Sequence, residues 1–141
     1  QAGYARKIHW LSQRGTIMTN YAKTNIGNEG RFELHDALGL TGAEVSINKL
    51  PAGASVPFVH AHKENEEIYG VLEGAGSATI DGEDIELAAG DWLRISPAAH
   101  RRFHAAHRRF HAAADSGITY VCIQVKQGSL GAFTADDAIM C

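Results

Sequence analysis

Apolar and polar residues alternate in short runs along most of the chain, and glycine, proline or aspartate turns separate the runs. From Ala43 to Leu50, Val45 and Ile47 fall on one face and Ser46 and Asn48 on the other. A period of two predicts a half-buried strand. Pro51-Ala52-Gly53 turns the chain, and Val56 to His62 predicts a further extended run. Pro57 suits a strand start or an edge position, because proline cannot donate to a ladder. Glu66 to Glu73 predicts a strand closed by Gly74. Ser77 to Ile80, Asp81-Gly82 and Glu83 to Leu87 predict a hairpin, since Asp-Gly accepts the positive φ angles of a two-residue turn. Trp92 to Ser96 predicts a strand ended by Pro97, and Thr119 to Lys126 a last strand rich in β-branched residues. Strand character begins near Phe32, while residues 20–30 predict a loop. Short strands with turn signals every 8 to 12 residues imply an all-β sandwich or barrel.

One segment breaks the pattern. HRRFHAA runs from His100 to Ala106 and again, unchanged, from His107 to Ala113. A single seven-residue repeat is not a solenoid, which needs longer units and several copies. It reads as a recent tandem duplication or an introduced feature. One copy is expected to take a strand that the barrel needs. The other is expected to form a loop or a short helix, since loop insertions cost little. Histidines carried along by duplication explain the cluster better than a metal site or a pH switch does.

Composition narrows the class. The chain has 141 residues, of which 45% are hydrophobic and 21% charged. This suits one globular domain. No apolar run approaches the roughly 20 residues of a membrane helix, and the first residues lack the order of a secretory signal. Two cysteines, Cys122 and Cys141, make no disulfide framework and fit a reducing, cytoplasmic compartment. The net charge of −3 argues against nucleic acid or an anionic membrane as partner. Residues 100–114 hold four of the thirteen basic residues and no acid, a local cationic patch on an otherwise acidic molecule. The patch makes a polyanion surface the weakest functional hypothesis, since no nucleic-acid motif accompanies it. Residues 1–31 are expected to form an N-terminal arm and residues 32–141 the barrel. Met18 is either the natural start behind an added tail, or part of an arm that crosses a partner subunit.

The chemistry concentrates at His60-Ala61-His62 and Glu67. Residues i and i+2 of a strand point the same way, so both imidazoles face one side. Two histidines and a carboxylate converging from neighbouring strands make a mixed nitrogen–oxygen site for a first-row metal, with positions left open. A polar cluster without metal is the alternative. Phe58 shares the face of the histidines, and Tyr69 that of Glu67. On the last strand Tyr120, Cys122 and Gln124 alternate with Val121, Ile123 and Val125, and the pattern leaves open which set faces inward. Cys122 reads as an inert buried thiol, since no basic partner is evident to activate it.

The stretch from Gly53 through His60, His62 and Glu67 to Gly74 resembles the first cupin motif: a glycine, HxH, a glutamate and, after six residues, a glycine. Gly90 to Ala99 resembles the start of the second, with alanine at its glycine position and Arg102 where a histidine is expected. The resemblance covers about Phe32 to Lys126. It implies a double-stranded β-helix, a small jelly-roll barrel of two antiparallel sheets. It implies a divalent metal (iron, manganese, zinc or nickel) on His60, His62 and Glu67, with His100 or His104 as a substitute fourth ligand. Arg102 in the ligand position would instead bind an anionic group. The expected pocket comprises Phe58, Tyr69, Arg102, Cys122 and Gln124. The expected functions are a metal-dependent oxygenase or isomerase acting on a small molecule, or a non-catalytic small-molecule cup. A homodimer is expected, because a second subunit would cover an open sheet edge.

Overall fold

The computed structural model describes residues 19–105, 117–131 and 134–141. Among the described residues, seven strands and two short helices follow in order: β1 (Arg31–Glu33), α1 (Leu34–Leu38), β2 (Glu44–Leu50), β3 (Asn65–Ile80), β4 (Glu83–Ala88), β5 (Trp92–Ile95), β6 (Arg101–Ala105), β7 (Ile118–Lys126) and α2 (Thr134–Asp137). All strand pairs are antiparallel. One sheet runs β1-β2-β7-β3-β5, and the other places β4 and β6 on either side of the second half of β3.

The two strands expected at residues 66–73 and 77–80 are one 16-residue strand that serves both sheets. Residues 65–74 pair with β7, residues 75–80 with β4 and residues 76–80 with β6. A register shift between Val71 and Glu73 and a positive φ of 78° at Gly74 turn the strand from one sheet into the other. A Cβ at Gly74 would lie 1.8 Å from the Gly117 carbonyl oxygen, so only glycine fits this corner. The hairpin after it follows the Asp-Gly signal: Asp81 and Gly82 have φ of 50° and 80°, and Ile80 pairs with Glu83.

The run Val56 to His62 is not a ladder strand. Two isolated bridges tie this part of the chain to β6, Ser55 to His104 just before the run and His60 to Arg101 within it. Between them Pro57, Phe58 and Val59 arch into solvent. Proline offers no N–H there, so the ladder is interrupted. The helix α1 was not foreseen from the pattern. Five residues are too few for a 3.6-residue period to show. Gly39 caps it with φ 67°, and the Leu40 N–H bonds the His35 carbonyl at 2.9 Å.

The first heptapeptide copy supplies β6 through Arg101–Ala105. The second copy and residues 1–18, including Met18, lie outside the described residues. Alternation in β6 puts Arg101, Phe103 and Ala105 inside and Arg102 and His104 on the other face. The core joins Tyr69, Val71 and Ala78 of β3 with Leu87, Ile95, Phe103, Ile118, Tyr120 and Cys122. Phe103 stacks between Tyr69 (centroids 4.1 Å apart) and Tyr120 (5.1 Å apart). Such contacts contribute roughly 0.5–1.5 kcal/mol per pair beyond area burial.

Candidate metal centre

His60 and His62 reach the barrel from the irregular run before β3, and Glu67 from β3 itself. The bridge to Arg101 sets His60, with His60 N–H to Arg101 O at 3.1 Å and the return bond at 2.9 Å. His62 N–H bonds the Pro97 carbonyl at 2.8 Å. The imidazoles stand edge to face, centroids 5.1 Å apart. One ligand atom each of His60, His62 and Glu67 falls within 4.8 Å of the others.

Glu67 is buried, 1% exposed, and its two oxygens do different things. Oε2 accepts from the Cys122 thiol at 3.1 Å. Oε1 points at the histidines: His62 Nε2 is in direct contact with it, and His60 Nε2 is 3.5 Å away. Yet His62 Nε2 and Glu67 Oε1 are buried without a hydrogen bond of proper geometry, and His60 Nδ1 is unpartnered too. Buried polar atoms left without partners are costly. A cation held between His60, His62 Nε2 and Oε1 would satisfy the last two. Two imidazoles and a carboxylate suit a first-row divalent metal. The residues therefore fit the group.

Electrostatics favour the ligating forms of Glu67 and His60. Burial presses the Glu67 carboxyl upward. Hydrogen bonds from Tyr69 and Cys122 and the charges of His62 and Arg101 outweigh it and hold Glu67 below the usual carboxylate range. Burial, helped by His62 and Arg101, pushes His60 down against the pull of Glu67, so its imidazole favours the neutral, ligating form. Burial also raises the Cys122 thiol to about 12, which leaves it a hydrogen-bond donor and not a nucleophile.

A cavity of about 450 Å³ opens beside the cluster. His60, Glu67, Phe58, Tyr69, Phe103, Tyr120, Cys122 and Gln124 line it. The open question on β7 is thereby answered: Tyr120, Cys122 and Gln124 face in.

Two expectations change. Arg102 does not enter the cluster. It lies on the opposite face of β6, where its Nε donates to the Val56 carbonyl at 2.7 Å. Arg101 takes the inward place, because the pairing of Ile80 with Arg101 and Ala78 with Phe103 sets the strand's phase. It is 0% exposed, with Nη1 3.7 Å from Glu67 Oε1 and Nη2 2.6 Å from the Ser96 carbonyl. Sequence analysis missed Arg101 because the motif counts residues from Pro97 and ignores strand phase. His100 and His104 are not ligands here either. His100 is exposed at the tip of the β3–β4 hairpin, its N–H on Asp81 Oδ1 at 2.8 Å. His104 is committed on the outer face. Thr79 donates its only hydroxyl proton to Asp84 at 2.7 Å, so it accepts from His104 Nε2 at 3.2 Å. His104 Nδ1 is hydrogen-bonded to the Ser55 hydroxyl at 2.7 Å, so both ring nitrogens are occupied.

A barrel of two antiparallel sheets, with HxH and a glutamate inside, defines a cupin. A family model described as a cupin domain matches residues 46–113. A cupin protein from Bacteroides fragilis, known as a crystal structure, is 58% identical with a TM-score of 0.80. That match covers 88% of this chain and 99% of its own. A protein of Methanocaldococcus jannaschii, described as uncharacterized, is 42% identical over 62% of this chain. The chain spans 61% of the length of that curated relative. A sugar phosphate isomerase of the cupin superfamily from Silicibacter pomeroyi is 25% identical, with a TM-score of 0.56. It covers 77% of this chain and 68% of its own. The chain belongs to the cupin superfamily.

Proposed function

We propose that this cupin binds a divalent metal through His60, His62 and Glu67 and acts on a small molecule held in the adjoining cavity. The observation that carries the reading is the set of three ligand atoms within 4.8 Å, with Glu67 Oε1 and His62 Nε2 buried without a hydrogen bond beside a cavity. A bound ion would supply a Lewis acid with open positions. The chain's own residues do the rest. His60 and His62 give nitrogens, and Glu67 gives Oε1 while Cys122 occupies Oε2. The stacked Tyr69, Phe103 and Tyr120 keep one wall dry. Oxygenation and isomerisation are the reaction classes to screen. The name of the Silicibacter pomeroyi relative supports testing isomerisation first.

A specific observation favours a second reading, a ligand cup without metal. The Arg101 guanidinium, 3.7 Å from Glu67 Oε1, balances that carboxylate on its own and opposes a second cation. Elemental analysis separates the two. Untagged protein is expected to carry near one metal per chain, lost in the His60→Ala/His62→Ala variant. The variant controls for adventitious binding by the histidine-rich repeat. No metal after reconstitution with iron, manganese, zinc and nickel would leave the metal-free cup. The free thiols of Cys122 and Cys141 support a cytoplasmic location. We also propose a homodimer that covers the apolar outer face of the larger sheet. Among the described residues no helix is long and apolar enough to cross a membrane.

A further inference from the structure

We propose that the small molecule bears an oxyanion group, carboxylate or phosphate, on a planar apolar body, and that Arg31 at the cavity mouth anchors that group. This rests on the small-molecule reading above and adds the substrate class. Arg31 pairs with Asn48 across β1 and β2, so its side chain shares the inner face of the sheet. Its Nη1 donates to Asn48 Oδ1 at 2.6 Å. Asn48 is 5% exposed and is itself fixed by a 3.0 Å bond to Ser46. The guanidinium is therefore aimed by a buried residue. Its remaining partner is Glu33, at 3.0 and 3.3 Å, and both side chains are more than half exposed. Exposed pairs of this kind hold weakly, so an incoming anion can compete. Three of the five N–H groups are used, which leaves donors for a bidentate contact.

The charge of Arg31 reaches the interior. Burial raises the Tyr120 hydroxyl, and Arg31 pulls it the other way. Glu67 is the only acidic residue among those lining the cavity, and Arg101 stands beside it. Arg101 offsets Glu67, and Glu33 offsets Arg31 only loosely because that pair is exposed, so the field at the mouth is set by the Arg31 guanidinium. Low-dielectric walls strengthen such a field and favour anions. The apolar part of the ligand has its surface in Tyr69, Phe103 and Tyr120, and a cavity of about 450 Å³ suits a small ligand.

The test is calorimetric titration of the full chain, metal-stripped and metal-loaded, with benzoate, phenyl phosphate and uncharged benzamide. At least one anion is expected to bind more tightly than benzamide. Arg31→Gln is expected to weaken it by about tenfold or more, with Arg31→Lys between the two. Glu33→Gln, which frees the guanidinium, is expected to tighten it. Whichever anion binds better names the oxyanion. Benzamide binding as tightly as the anions, or Arg31→Gln leaving anion affinity unchanged, overturns the anchor while the small-molecule cup stands. Failure of all three ligands at millimolar concentration overturns the anchor and the cup together.

Discussion

Arg101 and Glu67 are a buried ion pair, 0% and 1% exposed, and each leaves the other stranded if it is removed alone. Taking away one partner of such a pair costs about 3–5 kcal/mol, whereas replacing both with well-packed apolar groups is often neutral. Arg101→Ala is therefore expected to lose about that much in urea unfolding of the metal-stripped chain. Arg101→Met combined with Glu67→Leu is expected to recover most of it, and a double variant no better than the single one would refute the pairing. The candidate centre was legible only in part at this scale. The HxH spacing and the six residues from Glu67 to Gly74 single out three side chains that the fold brings within 4.8 Å. Arg101 was hidden by its neighbour. In an Arg-Arg pair on a strand, composition is the same on both faces, and only the register with β3 tells which guanidinium is inside.

At the scale of elements, turn chemistry was the most readable signal, because it is local. Asp81-Gly82 needs nothing beyond its own two residues to demand positive φ. Gly74 reads the same way in sequence, as the end of a strand, yet it is the corner of a continuous one. The difference lies in a partner more than forty positions away, the Gly117 carbonyl, which no local pattern reports. The run Val56 to His62 was misjudged for a related reason. Its alternation is real, but Pro57 and the arch over Phe58 and Val59 deny it a ladder. The two glycines give a ranked prediction. Gly82→Ala meets no atom within 4 Å and should cost only the strain of a positive φ, about 1–3 kcal/mol. Gly74→Ala adds a Cβ 1.8 Å from a backbone oxygen and should cost clearly more, with near-complete loss of cooperative unfolding as the extreme. Thermal unfolding followed by circular dichroism checks the order, and equal midpoints would show that the β3 corner relaxes without cost.

For the whole molecule, the register fixes which face of the larger sheet looks outward. Phe32, Ile47, Val121, Gly70 and Trp92 stand in one row across β1, β2, β7, β3 and β5. Val45, Ile123, Ile68 and Arg94 stand in the next. Every one of these positions points away from the cavity, and all but the glycine and the arginine carry large apolar side chains. The segment around Ala22 and Ile26, with Leu34 and Leu38 of α1, gathers beside Ile47 at the β1–β2 end. Toward β5 the face stays open: Trp92 lies over Gly70 yet remains 57% exposed, and Leu72 is 48% exposed. Contiguous exposed apolar surface of this kind marks an interaction site. A second copy of the chain suits it, because an isologous contact covers the same patch on both subunits and a net charge of −3 offers little repulsion. Sedimentation velocity is expected to give a species of twice the 15.2 kDa chain mass. Ile123→Glu places a charge in the middle of the second row, on the face opposite the cavity. It should therefore yield monomers whose metal content and ligand binding are unchanged. A wild-type chain that sediments as a monomer throughout the micromolar range would rule the dimer out, and would leave the open apolar face to a different protein.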